Sequence, residues 1–173
     1  MAGFVLFASG VVLAQQVFVP VSVEELCGMS DVIVDGSVAA VARARPNRDG
    51  KLETPVEITI AAVLKGPASL KKLTLIEPGG KESEKSGARE EVYFGQIIPH
   101  AGERYVLFLV RDPTLESGDP GAYRTLGGLH GHYRVADGRI VVHPAMPRIL
   151  RTGFSGAPVE MLLNAVRRQL NQN

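Results

Sequence analysis

Tryptophan is absent from this 173-residue chain, cysteine occurs once, and aromatic residues make up only 6% of it. Each shortage excludes something. With Cys27 alone, no disulfide can form within the chain, so burial and hydrogen bonding must hold the fold. With so few rings, valine, isoleucine and leucine have to fill the core. Charge of one sign is also missing: 19 Lys and Arg balance 18 Asp and Glu. The basic residues are scattered, and the group Lys65, Lys71 and Lys72 suits a solvated turn. Nucleic acid and acidic membranes need clustered Lys and Arg, so neither is expected as a partner. Cys27 reads as a small buried hydrophobe rather than a nucleophile. "VEELC" also lacks the small residues that precede a lipid-attachment cysteine.

What is present begins with an apolar run. "GFVLFASGVVLA", Gly3 to Ala14, carries no charge and has the length of a signal-peptide core, although no Lys or Arg precedes it. Val12 and Ala14 are small enough to frame a cleavage site. Residues 1–14 are therefore read as a cleaved signal, with Gln15 the new first residue, rather than as a retained anchor. No stable membrane span is expected after its removal, and the expected location is secreted or periplasmic.

Next, "SVEE", Ser22 to Glu25, fits a capping box, which predicts a short helix to about Met29 with Leu26 and Met29 covering something apolar. The hydrophobic period then becomes two. "DVIVDGSVAAVARAR" reads as a long strand, bent or bulged at Gly36, with Val32, Val34 and Val38 on one side and Ile33 and Asp35 on the other. Pro46 to Gly50 is a turn. "PVEITIAAVLKG" places Val56, Ile58, Ile60, Ala62 and Leu64 inward, and "KLTLIEP" is a third strand. Gly79–Glu91 is almost devoid of apolar residues and is expected to be a mobile surface loop. "RYVLFLV", Arg104 to Val110, is apolar on both faces and reads as a central strand. Asp112–Gly121 is a second loop.

A closing hairpin is expected from near Tyr123. Asp137-Gly138 is the preferred pair for a type I′ turn, which would place Val135 opposite Ile140, Tyr133 opposite Val142, and His132 opposite His143. Leu129, Tyr133, Val135, Ile140 and Val142 then face the core, and His130, His132, Arg134, Val141 and His143 face away. Residues 156–170 read as an amphipathic helix, with Pro158 in its first turn and Val159, Leu162, Leu163, Val166 and Leu170 on one face.

This order of elements predicts a mainly β protein. Its body is a five-stranded OB-like Greek-key barrel over residues 21–145, with a short N-terminal helix and the amphipathic C-terminal helix packed outside. Closure buries strands that are apolar on both faces and leaves no edge. "SVEELCGMSDVIVDGSV", "ITIAAVLKG", "GERYVLFLV" and "GGLHGHYRV" together resemble a broad group of secreted bacterial proteins. The same order, over about Val21 to Val142, is similar to the OB barrel of the netrin-like module, including the inhibitory domain of tissue inhibitors of metalloproteinases. That resemblance implies the fold. The inhibitors clamp a protease zinc with a disulfide-bonded amino-terminal cysteine, whereas Cys27 is internal and unpaired, so their mechanism does not carry over.

Three of the four histidines fall in "LHGHYRVADGRIVVH". His130 and His132, two apart on one strand, with His143 opposite, form a set that zinc accepts with water as fourth ligand. Arg134 beside them and the lack of a nearby carboxylate in sequence favour a plain solvated strand face instead. "TGFSGAP" around Ser155 lacks the glycine spacing of a nucleophile elbow. Glu90, Glu91 and His100 have nothing in the sequence to bring them together. The expected function is thus an exported, non-catalytic binding module without a cofactor. Its partner would be a protein, peptide or glycan at the cell envelope, met by the loops Gly79–Glu91 and Asp112–Gly121. The rivals are a protease-directed inhibitor of netrin-like type and a small zinc protein using His130, His132 and His143.

Overall fold

A computed structural model describes residues 21–84, 87–93, 97–111, 122–141 and 153–172. The predicted signal, the loop Asp112–Gly121 and His143 lie outside the described residues.

Helix α1 (Val23–Met29) starts on the expected capping box. The Ser22 hydroxyl accepts from the Glu25 amide at 3.1 Å, and the Ser22 amide donates to Glu25 Oε2 at 2.7 Å. Two amides that an α-helix leaves open are thereby satisfied. Leu26 and Cys27 are buried, but Met29 is 54% exposed and covers nothing as expected of it.

The strands are β1 (Val32–Val41), β2 (Arg45–Pro46), β3 (Leu52–Lys65), β4 (Lys72–Pro78), β5 (Gly80–Glu84), β6 (Gly87–Glu91), β7 (Arg104–Val110), β8 (Ala122–Thr125), β9 (His132–Ala136) and β10 (Arg139–Val141). Five of them close a barrel in the order β1-β3-β4-β8-β7, with β7 returning to β1. Counted along the chain this is first, second, third, fifth, fourth. The β4–β8 pair is parallel and the other barrel pairs are antiparallel. The closed OB-like Greek-key barrel is therefore present.

Closure explains why β7 is apolar throughout. Tyr105, Leu107 and Leu109 point into the barrel with Val34, Val38, Val56, Ile58, Leu75 and Tyr123. Val106 and Phe108 point outward into a second cluster with Ile33, Tyr133, Val135 and Ile140. Helix α2 (Val159–Leu170) roofs that second layer with Val159, Leu162, Leu163 and Val166, and Leu26 and Cys27 of α1 join it. Burying each such aliphatic side chain stabilises the fold by about 1.5–3 kcal/mol.

Long strands coil around so small a barrel only with irregularities. The β1–β3 register slips between Ile33 and Val34, between Asp35 and Gly36, and between Val38 and Ala40. At Gly36 the second strand lies so close that a Cβ would meet the Thr59 carbonyl oxygen at 2.7 Å. The slips change the phase of β3. Val56 and Ile58 face inward as expected, but Ala62 is exposed and Leu64 packs against the outer cluster. Strict alternation cannot survive an extra residue in one strand.

Two further expectations are corrected. The segment Gly79–Glu91 is not a loop: β5 and β6 form an antiparallel hairpin pairing Gly80 with Glu91 and Lys81 with Glu90. Its strands lack a hydrophobic face and are held by their ladder, by the Lys81–Glu90 ion pair, and by anchors at the base. The closing hairpin also begins later than expected. After β8 a 3₁₀ turn, Gly128–Gly131, intervenes, and β9 starts at His132. From there the register matches the sequence reading, with Val135 opposite Ile140. Asp137 (φ 51°) and Gly138 (φ 71°) both adopt the positive φ that a type I′ turn demands. The stretch 156–158 is not helical. It runs beside β10, with the Ile140 amide donating to the Ala157 carbonyl at 2.9 Å, and Pro158 caps α2 instead of sitting in its first turn.

Candidate functional site

The two described hairpin histidines do not lie on a wet strand face. His132 alternates with Tyr133, and Tyr133 points under α2, so His132 points into the barrel. Only 2% of its side chain is exposed. Its Nε2 lies 2.7 Å from Thr125 Oγ1 and 3.0 Å from Glu77 Oε1, while the Thr125 hydroxyl donates to Glu77 Oε1 at 2.9 Å. With that hydroxyl proton directed to Glu77, Nε2–H is the donor toward Thr125. His132 Nδ1 is buried without a hydrogen-bond partner, and the Tyr105 ring lies 5.6 Å away, tilted across the imidazole.

Three strands build this triangle. Glu77 follows Leu73 and Leu75 on the inward side of β4. Thr125 follows Tyr123 on β8, which runs parallel to β4. The 3₁₀ turn then brings His132 back along β7, opposite Leu107. The orienting carboxylate missing near the histidines in sequence comes from a residue far before them. The signal was present, because a glutamate in step with two inward leucines either breaks the strand or enters the core with a partner.

His130 is buried but sits in the 3₁₀ turn, so strand alternation does not align it with His132. Burial lowers its pKa from the ordinary histidine value. Among the described residues no group of three or more His, Cys, Asp or Glu is arranged to hold a metal ion.

A second polar group lies at the same end of the barrel. The Tyr105 hydroxyl donates to Glu103 Oε2 at 2.7 Å, and Arg134 Nε sits 2.9 Å from Glu103 Oε1. Burial pushes the Glu103 carboxyl up, but the His100 amide, the Tyr105 hydroxyl and the Arg134 charge outweigh it and hold it below the ordinary carboxylate value. Burial, followed by the bond to Glu103, raises the Tyr105 phenol well above its usual range. On the outer side of the barrel, Arg104 grips the buried Asp35 carboxylate with two bonds, at 2.8 and 2.6 Å.

Glu90, Glu91 and His100 are not assembled. Glu91 is fixed at the base of the hairpin, where its Oε2 accepts from the Leu52 amide at 2.8 Å and from Tyr93 at 2.8 Å, and it also pairs with Arg89. Glu90 pairs with Lys81. The exposed His100 ring has no place in that group, since its contact is the amide donation to Glu103. Ser155 occupies an exposed turn before α2. Cys27 is buried, and burial raises its thiol pKa.

The outer face of β3, where it meets the β1–β3 connection, was not singled out in the sequence. Ala42 to Lys51 holds Arg43, Arg45, Arg48 and Lys51 against Asp49 alone. Arg45 lies opposite Glu53, and the Asn47 amide donates to the Lys51 carbonyl at 2.8 Å. Asn47 Oδ1 accepts from the Asp49 and Lys51 amides, each at 3.0 Å, which ties the turn down. Arg124 of β8 reaches the same face and holds Glu53 at 2.7 Å. The "ARARPNRDGK" run was legible, but its junction with Arg124 depends on barrel closure.

Fold and site together define the class: an OB-like barrel with a filled interior and a polar rim. No family model matches the chain, and a search of curated proteins finds no match. No helix among the described residues is long and apolar enough to cross a membrane.

Proposed function

We propose that this protein is an exported, non-catalytic binding module of the cell envelope or extracellular space, with a protein, peptide or glycan as ligand. The observation that carries this reading is the state of the barrel interior. It is filled by its own side chains, among them Val34, Val56, Leu75, Leu107 and Leu109 at 0% exposure. A ligand therefore meets the molecule on its outer faces and projecting elements. The ionisable groups in the barrel wall support the same reading. Glu77, Glu103, Asp35 and Glu53 are each committed to internal partners, so these four carboxylates serve the structure rather than standing ready as general acids or bases. The β5–β6 hairpin is fixed to this wall by Glu91 on the Leu52 amide and by Arg89 on the Gly50 carbonyl at 2.8 Å. Export rests on the apolar run Gly3 to Ala14.

The test has two arms. Residues 1–20 fused to a reporter that is active only outside the cytoplasm should yield activity, and a silent fusion would remove the export reading. The full chain, immobilised and exposed to the envelope fraction, should retain a partner that is displaced by soluble full chain. Retention of nothing specific would remove the binding reading.

A further inference from the structure

We infer that the β1–β3 connection is a docking surface for an acidic, extended segment of a partner protein. This rests on the binding reading above and gives its ligand a chemistry.

Three observations converge. The first is uncompensated charge. Arg43, Arg45 and Lys51 are exposed and make no ion pair among the described residues. The carboxylates around them are already committed: Glu53 to Arg124 and Asn47, Glu57 to Lys72, and Glu91 to the Leu52 amide and Arg89. Asp49, at the turn, is the acidic residue that remains in the loop. The surface is therefore basic despite a chain of nearly balanced charge.

The second is rigidity. Ala44, between the two arginines, is buried, and a Cβ at Gly80 would meet Ala44 Cβ at 2.8 Å. The connection is thus pinned against the base of the β5–β6 hairpin, and its neighbours Arg43 and Arg45 are turned to solvent. Asn47 locks the turn beyond them. A ligand would order little backbone on binding, which lowers the entropic cost of association.

The third is spacing. Arg43 and Arg45 stand on either side of the buried Ala44, and two residues of chain separate them by at most about 7 Å. Side chains on one face of an extended peptide repeat at that same interval. Two guanidinium forks therefore match carboxylates at alternate positions of an acidic strand, each capable of bidentate bonding. Pro46 lacks an N–H, so β2 does not offer a full backbone edge, and recognition runs through side chains.

The experiment measures fluorescence anisotropy of a labelled ten-residue Glu-Ser alternating peptide titrated with the full chain. Binding should be saturable and should fall as salt rises to about 0.5 M. R43E/R45E should weaken it by about tenfold or more, with the far-UV CD spectrum and melting temperature unchanged because both side chains are exposed. K71E, which reverses an exposed charge beside Ile60, past the middle of β3, should leave it unchanged. Absence of saturable binding overturns the proposal, as does equal loss in R43E/R45E and K71E. Tighter binding of an oligouronate than of the peptide also overturns it, because the occupant is then a glycan. An envelope partner that R43E/R45E retains fully would sink this surface while leaving the binding module intact.

Discussion

Replacing Thr125 with valine removes one oxygen from the buried triangle and almost nothing from its volume. Glu77 Oε1 then loses a donor at 2.9 Å and His132 Nε2 loses an acceptor at 2.7 Å, while the 3.0 Å contact between the two remains. A buried polar group deprived of a partner costs about 1–3 kcal/mol. With the remaining contact in place, about 2 kcal/mol is expected for T125V. For a chain of this size that is a fall in melting temperature of about 4–8 °C. H132F keeps the ring against Tyr105 but leaves the Glu77 carboxylate with Thr125 alone, so its loss is larger, about 3–5 kcal/mol. The decisive variant is E77L/T125V/H132F. Once all three polar groups are gone, no donor or acceptor is stranded, and the triple variant should be more stable than H132F alone. Urea unfolding followed by far-UV CD, with midpoint and slope fitted separately, measures each value without relying on the missing tryptophan. If the separate losses of E77L, T125V and H132F add up to that of the triple variant, the side chains do not act as one network, and the reasoning fails.

Other perturbations test the outer layer, the rim and the histidines. L162A opens a cavity beneath α2 beside Phe108 and should cost about 2–5 kcal/mol, read as a lower urea midpoint; a change below about 1 kcal/mol would mean the helix is not seated on the barrel. Glu103 is depressed in the folded state, so its stabilisation is present above its ordinary value of 4.5 and is lost as pH falls through the lower folded value. E103Q should therefore flatten the decline of melting temperature in acid, and an unchanged profile would contradict the Tyr105–Glu103–Arg134 arrangement. Zinc added to dialysed protein should leave the melting temperature unmoved, because His132 Nε2 is already held by Thr125 and Glu77. An upward shift that grows with zinc concentration would restore the reading of His130, His132 and His143 as ligands.

Local chemistry was legible in the chain. The Ser22–Glu25 capping box needs only residues three apart, and Asp137-Gly138 is one of the few pairs that tolerate two successive positive φ angles. Both features came out in register. The apolar Arg104–Val110 run announced a strand covered on both faces, as β7 is, and the five-stranded closure followed from such strands. The candidate site was less legible. The histidine alternation assumed one unbroken strand, and the 3₁₀ turn at Gly128–Gly131 interrupts it. The polar stretch Gly79–Glu91 looked like a loop because hairpin strands that bury nothing carry no hydrophobic rhythm.

Taken alone, the sequence determined what neighbouring residues settle among themselves: where helices cap, where the chain turns, and which segments are extended. Closure of the barrel decided the rest. It shifted the phase of β3 through its register slips, turned His132 from an expected solvent face into the interior, and brought Glu77 to it from 54 intervening residues away, a separation that no local pattern spans. It also set Arg124 beside the β1–β3 connection. The physical reason is that burial is a property of both faces of a curved sheet at once. Alternation states which residues share a face, and only the closed structure states what each face meets.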